Sequence, residues 1–165
     1  PGIVVDVHLG TSDSVQSHFS NGAANLALFN ETEEPAINAQ RLFSEPLAWL
    51  MKKGGHAAAV DPLPLAIAEV RCSWRDAAVK ALQNKKRGYR VAYSSDTSMG
   101  QLAALRADLA IAALPRSLIN PELVEVPSDH GLPKLSKTHV YLADDGSKLS
   151  KVFASMVIAM IGRTG

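Results

Sequence analysis

Three short stretches rich in hydroxyl groups carry the most suggestive chemistry in this sequence: Gly10-Thr11-Ser12, Ser73-Trp74-Arg75 and Ser94-Ser95-Asp96-Thr97. Each follows an apolar, strand-like run and precedes a helical pattern. Free backbone N–H groups and the positive end of the helix dipole at such corners favour an anion or a carbonyl oxygen. Hydroxyls add donors and acceptors that hold a polar small molecule without reacting with it. Thr11 or Ser12 can equally do no more than cap the helix that follows. Trp74 would wall an apolar part of a pocket, or pack between helix and sheet. Arg75 could pair with a carboxylate; the simpler expectation is that it points to water. If Asp96 faces a cleft, like charge disfavours a purely anionic ligand. If Asp96 caps its helix from outside, an acid still fits.

Other chemistry finds little support. His8, His18, His56, His130 and His139 show no metal-ligand spacing, so no metal is expected. There is no Gly-x-Ser-x-Gly elbow, no phosphate-binding loop and no dinucleotide fingerprint. No catalytic residues and no cofactor are expected, and the chain does not read as an enzyme. The single cysteine, Cys72, excludes an internal disulfide and fits a reducing cytoplasm. A nucleophile or redox sensor is conceivable there, but a lone thiol at a strand end is most simply a small packing group.

Net charge is +1 over 165 residues, so nothing in the balance demands nucleic acid or an anionic membrane. Two basic runs, Lys52-Lys53 and Lys85 to Arg90, could touch DNA or a polymerase subunit, but read more simply as solvated loops. The longest apolar candidate, residues 152–161, is about half the length a membrane span needs. No signal peptide is visible. The first residue is not methionine, and Ile3-Val4-Val5 is already strand-like, so the sequence is expected to be a piece of a longer chain.

The corners must be positioned by alternating strands and helices. Residues 3–9 alternate and are expected to form a strand. Val15 and Phe19 share one face of a short helix that Asn21-Gly22 ends. Residues 25–29 form a second strand, and 30–40 are polar and irregular. A strand is expected around residues 47–50, then a loop at Lys52-Lys53-Gly54-Gly55. The richest stretch, residues 62–118, reads strand, helix, strand, helix, strand, with apolar runs at 62–68, 89–93 and 109–114. Such alternation implies a mostly parallel sheet with covered faces. Ligands bind such sheets beyond the carboxyl ends of the strands. Residues 120–136, with three prolines, read as connecting loop. Residues 138–142 form a strand, and Asp144-Asp145-Gly146-Ser147 caps a last helix, 148–161. Leu149, Val152, Phe153, Met156, Ile158 and Met160 give that helix a broad apolar stripe.

The chain thus falls into two βα blocks with two crossings between them. The expected fold is α/β: two Rossmann-like lobes joined by crossover strands. The first lobe comprises residues 1–46 plus 138–165, the second residues 47–137. Two crossings make a hinge and cleft physically reasonable.

Taken in order along the whole chain, these features resemble the effector-binding domain of LysR-type transcriptional regulators. Pro1-Gly2, a strand and Gly10-Thr11-Ser12 resemble the family's opening. Gly22-Ala23-Ala24-Asn25-Leu26-Ala27-Leu28 resembles its Gly-x-x-Asp-Leu-Ala-Leu segment. Leu63-Pro64-Leu65-Ala66, then Trp74-Arg75 before a helix, resembles one subgroup. Residues 106–115 stand where the family has Ala-Gly-x-Gly-Ile and a proline, and Gly131-Leu132-Pro133 resembles the return crossing. Asn25 replaces a common aspartate, and Asp108 and Ala110 replace common glycines; aspartate tolerates positive φ better than most residues.

The resemblance implies a fold like type 2 periplasmic binding proteins. It implies a small-molecule effector in the inter-lobe cleft, with Thr11 at a position that commonly faces effector in the family; with the corners read above, the candidate contacts are Gly10, Thr11, Ser12, Ser73, Trp74, Ser94, Ser95 and Thr97. It further implies a cytoplasmic homodimer or homotetramer, no membrane association, and promoter DNA bound through a winged helix-turn-helix absent from this chain. The first strand and helix of such a domain would precede Pro1. Apolar residues of the helices at 15–19 and 102–105 are candidate subunit contacts, or core. The alternative is a solute-binding protein of the same fold with no DNA-binding role; the sequence upstream of Pro1 would separate the two.

Overall fold

The computed structural model describes residues 2–69 and 71–161. Pro1 and residues 162–165, placed in the first lobe above, lie outside that set, as does Val70.

The strand β3 (Leu63–Ile67) is buried along its whole length, as a strand covered on both faces must be. It pairs in parallel with β4 (Tyr89–Ser94). On its other side Leu65 meets Ile111, also in parallel. There the Ile111 N–H donates to Pro64 O at 3.0 Å and the Ala66 N–H to Ile111 O at 2.8 Å. Side chains alternate along β3, so the two faces meet different helices. Leu63, Leu65 and Ile67 pack with Ala78 and Leu82 of α2 (Ser73–Asn84). Ala66 packs with Leu102, Ala104 and Leu105 of α3 (Ser98–Arg106). Leu63, Leu65, Leu82 and Leu105 are wholly buried, and each such side chain contributes about 2 kcal/mol of apolar burial.

A long strand, β2 (Gln40–Lys52), runs alongside both blocks. Residues 40–46 pair with β7 (Lys137–Asp144), ending with Pro46 opposite Lys137. From Leu47 onward the partners are β5 (Ala112–Pro115) and β6 (Leu123–Glu125). On its far side β7 pairs with β1 (Leu26–Glu31), giving the order β1-β7-β2-β5 with β6 also on β2. The helix α1 (Ser12–Ser20) lays Val15 and Phe19 against Ala27, Phe29, Tyr141 and Ala143. Gly22 then turns the chain at φ +73°.

Several expectations need correction. The parallel arrangement is confined to β3, β4 and Ile111; every pairing in the five-stranded sheet is antiparallel. The two long crossing strands run past one another in opposite directions, and that sets the sense of their neighbours. Residues 3–9 form no strand; Ile3, Val4, Val5, Val7 and Leu9 are exposed. Alternation permits a strand, but a ladder needs a neighbour, and among the described residues none pairs with this segment. Residues 120–136 are not all loop, because β6 adds a short rung to β2. Leu102 and Leu105 are buried core and offer no subunit contact, while Val15 and Phe19 are partly buried against the α1 cluster. The apolar stripe of α4 (Lys148–Ile161) is instead the exposed one: Ser150 and Ala154 face inward, while Leu149, Val152, Met156, Ile158 and Met160 face out.

Candidate functional site

The first corner is tied to its own helix and to β1. Thr11 is the N-cap of α1, its hydroxyl accepting the Ser14 N–H at 3.3 Å. The Ser12 hydroxyl donates to Asn30 O at 2.7 Å and accepts the Asn30 N–H at 3.2 Å. Gly10 is exposed beside Ser14 and His8.

The second corner leads into α2. Ser73 is the first helical residue, and Cys72 before it makes no side-chain cap. Trp74 is partly buried against the α3-side core, and its indole N–H donates to the Thr138 hydroxyl at 2.8 Å. Arg75 does not simply face water: its guanidinium donates to the Glu69 carbonyl. Burial pushes the Cys72 thiol above its ordinary range, so a ready thiolate is not what this site offers.

The third corner closes β4 onto α3. Ser94, exposed, ends the strand opposite Ile67, and the Ser95 N–H donates to Ile67 O at 3.0 Å. The Ser95 hydroxyl accepts the Thr97 N–H at 3.3 Å. Thr97 caps α3 by accepting the Gly100 N–H at 3.2 Å. Asp96 is therefore not the cap; its carboxylate accepts the Glu69 N–H at 2.9 Å.

Glu69 thus links the second and third corners, through its carbonyl to Arg75 and its N–H to Asp96. The first and second corners meet at a residue the sequence did not single out, Glu31 at the end of β1. Its carboxylate accepts from Gln16 of α1 at 2.8 Å and lies within hydrogen-bonding range of Ser73 on α2. Burial raises the Glu31 pKa above its ordinary value, the bonds from Gln16 and Ser73 oppose that rise, and the charges of Asp13 and Asp76 add to it. Arg71, at φ +61°, reaches Asp13 of α1 at 3.3 Å. No spacing rule marks Glu31; only its place directly after an apolar strand end could have drawn attention to it.

Of the hydroxyls expected at the site, those of Thr11 and Thr97 cap helices, that of Ser12 is bonded to Asn30 and that of Ser95 accepts the Thr97 N–H, so most serve local structure. Two recesses of about 210 and 480 Å³ lie elsewhere, one beside Asn38, Gln40 and Asp144 and one on the outer face of α4. Among the described residues no group of three His, Cys, Asp or Glu side chains is placed to hold a metal ion. No described helix is long and apolar enough to cross a membrane.

Comparison with known proteins gives a consistent picture. Residues 1–159 match the model of the LysR substrate binding domain. The HTH-type transcriptional regulator DgdR of Burkholderia cepacia is 29% identical over 164 residues, covering 98% of this chain and 55% of DgdR. The chain thus spans about half the length of that curated relative. The bromide-bound regulatory domain of HypT from Salmonella typhimurium superposes with a TM-score of 0.69 at 13% identity, over 92% of this chain and 78% of that one. The regulatory domain of CcmR from Synechocystis PCC6803, in complex with 2-PG, gives 0.63 at 16% identity, over 91% and 79%. At such identities the two structures speak to fold alone.

Proposed function

The chain belongs to the LysR substrate binding domain family, and on that premise we propose that it senses a small polar metabolite held between two lobes. The relatives it matches are regulators and regulatory domains, not enzymes. The lobes we assign are residues 1–46 plus 138–165, and residues 47–137. The switch of β2 from β7 to β5 and β6 after Pro46 supports that division.

The observation that carries the reading is the convergence of the corners. Glu31 binds Gln16 of α1 and lies beside Ser73 of α2, while Glu69 bonds to Arg75 after the second corner and to Asp96 within the third. In this proposal Gly10, Thr11, Ser12, Ser73, Trp74, Ser94, Ser95 and Thr97 surround the effector. The effector acts by binding two lobe arrangements unequally, since equal affinity would shift nothing. DgdR is described as helix-turn-helix type; by analogy the shift here is passed to a DNA-binding domain of the whole protein. A homodimer or homotetramer on promoter DNA, in the cytoplasm, completes the proposal.

The test is a thermal-shift screen of small organic acids and amino acids. A ligand that prefers the native state raises the melting temperature, by an amount equivalent to about 2.7 kcal/mol at a hundred times its Kd. A hit that is bound and recovered unaltered supports the sensor. A hit that the protein turns over would replace the sensor with an enzyme.

A further inference from the structure

We propose, resting on the cleft reading above, that Thr138 is a positioning residue whose hydroxyl clamps the Ser73-Trp74 corner to β1 and so limits how far the mouth between α1 and α2 opens. Thr138 is wholly buried near the start of β7. A threonine hydroxyl has one proton to give. Here it accepts the Trp74 indole N–H at 2.8 Å and gives its own proton to the Glu31 carbonyl at 3.5 Å. One side chain on a crossing strand therefore joins α2 to β1.

The other polar contacts across this mouth are weaker candidates for the role. Arg71 and Asp13 are both substantially exposed, and such pairs contribute little. The Glu31 carboxylate is partly desolvated and repelled by Asp13 and Asp76, so it does not favour a closed mouth by charge. The Trp74–Thr138 bond is the contact whose loss leaves a shielded donor without a partner.

Cys72, next to the clamped corner, provides the readout. It is half-buried, and burial holds its thiol in the unreactive form. Opening the mouth hydrates the thiol, lowers its pKa and speeds alkylation. The experiment follows iodoacetamide labelling of Cys72 in the full-length protein by peptide mass spectrometry, well below the melting temperature. Thr138→Val should speed labelling roughly fivefold, the weight of one ordinary hydrogen bond. Trp74→Phe should do the same, Thr138→Ser should restore the wild-type rate, and Ser155→Ala on α4 should leave it unchanged.

Wild-type labelling rates in both Thr138→Val and Trp74→Phe would overturn the clamp. So would acceleration that rises with urea in step with global unfolding, because Thr138 would then only stabilise the fold. No effector is needed, so the clamp and the sensor fail separately. Hits in the ligand screen with unchanged labelling refute the clamp alone.

Discussion

The carboxylate of Asp108 accepts the backbone N–H of His56 at 2.8 Å, across 52 residues of sequence. Its second oxygen takes the Ala57 N–H at 3.1 Å. These N–H groups open the short 3₁₀ turn at Ala57–Ala59, so Asp108 anchors the approach to β3. Asp108 itself sits at φ +56°, directly after α3, a conformation aspartate tolerates better than most residues. Gly55 lies so close that a Cβ there would press on the Asp108 carboxylate.

Asp108→Ala should therefore cost about 2 kcal/mol, from two lost charge-assisted bonds and a left-handed backbone that alanine resists. Asp108→Asn, which keeps one acceptor and the backbone tolerance, should cost less. Gly55→Ala should also destabilise, but add little on top of Asp108→Ala, since both act on the same carboxylate. Urea denaturation of the two single mutants and the double mutant checks this; fully additive losses would mean Gly55 and Asp108 act independently.

Thr11→Val and Ser95→Ala should each weaken effector binding while leaving the domain folded. The Thr11 change also removes a helix cap, so about 1 kcal/mol of stability should go with it. Calorimetry with a confirmed ligand gives the affinities. Unchanged binding in both variants would remove these two corners from the site.

Glu31 makes stability depend on pH in an unusual sense. Burial raises its folded pKa above the ordinary 4.5. The folded state then holds the proton more tightly than the unfolded chain does. Its contribution is present below pH 4.5 and lost as pH rises through the folded value. Glu31→Gln should accordingly melt higher than wild type at pH 7, with the advantage vanishing near pH 4. Equal melting temperatures at pH 7 would contradict the desolvation argument.

Asp145 should show the opposite slope. The Ser150 hydroxyl at 2.5 Å, the Asn25 amide at 2.7 Å and the Ser147 N–H at 2.9 Å hold its carboxyl well below the usual range. Its contribution is present above the unfolded value of 3.8 and fades as pH falls toward the depressed folded value. Asp145→Asn should lower the melting temperature at pH 7 and matter progressively less below about pH 3.8. A pH-independent effect would assign Asp145 a packing role instead.

The parts of this fold that local physics determines were legible in the sequence. The unbroken apolar run at Leu63–Ile67 and the spacing of Ala78 and Leu82 located a covered strand and its helix. The family resemblance, carried by the order of these motifs, agrees with the match over residues 1–159. What stayed hidden depends on tertiary neighbours. Alternation at residues 3–9 could not reveal that, among the described residues, no ladder partner lies beside it. The three-residue β6 is too short to have a period. Glu31 and Thr138 owe their importance to α2 arriving from more than forty positions away in sequence, which no local pattern records.

Pro46 stands where β2 exchanges β7 for β5 and β6, and proline brings no N–H to the exchange. Rotating one end of this strand against the other breaks no bond donated from that residue. The ring itself fixes φ at Pro46, so a turn of one end of β2 against the other would fall on the flanking residues, Glu45 and Leu47.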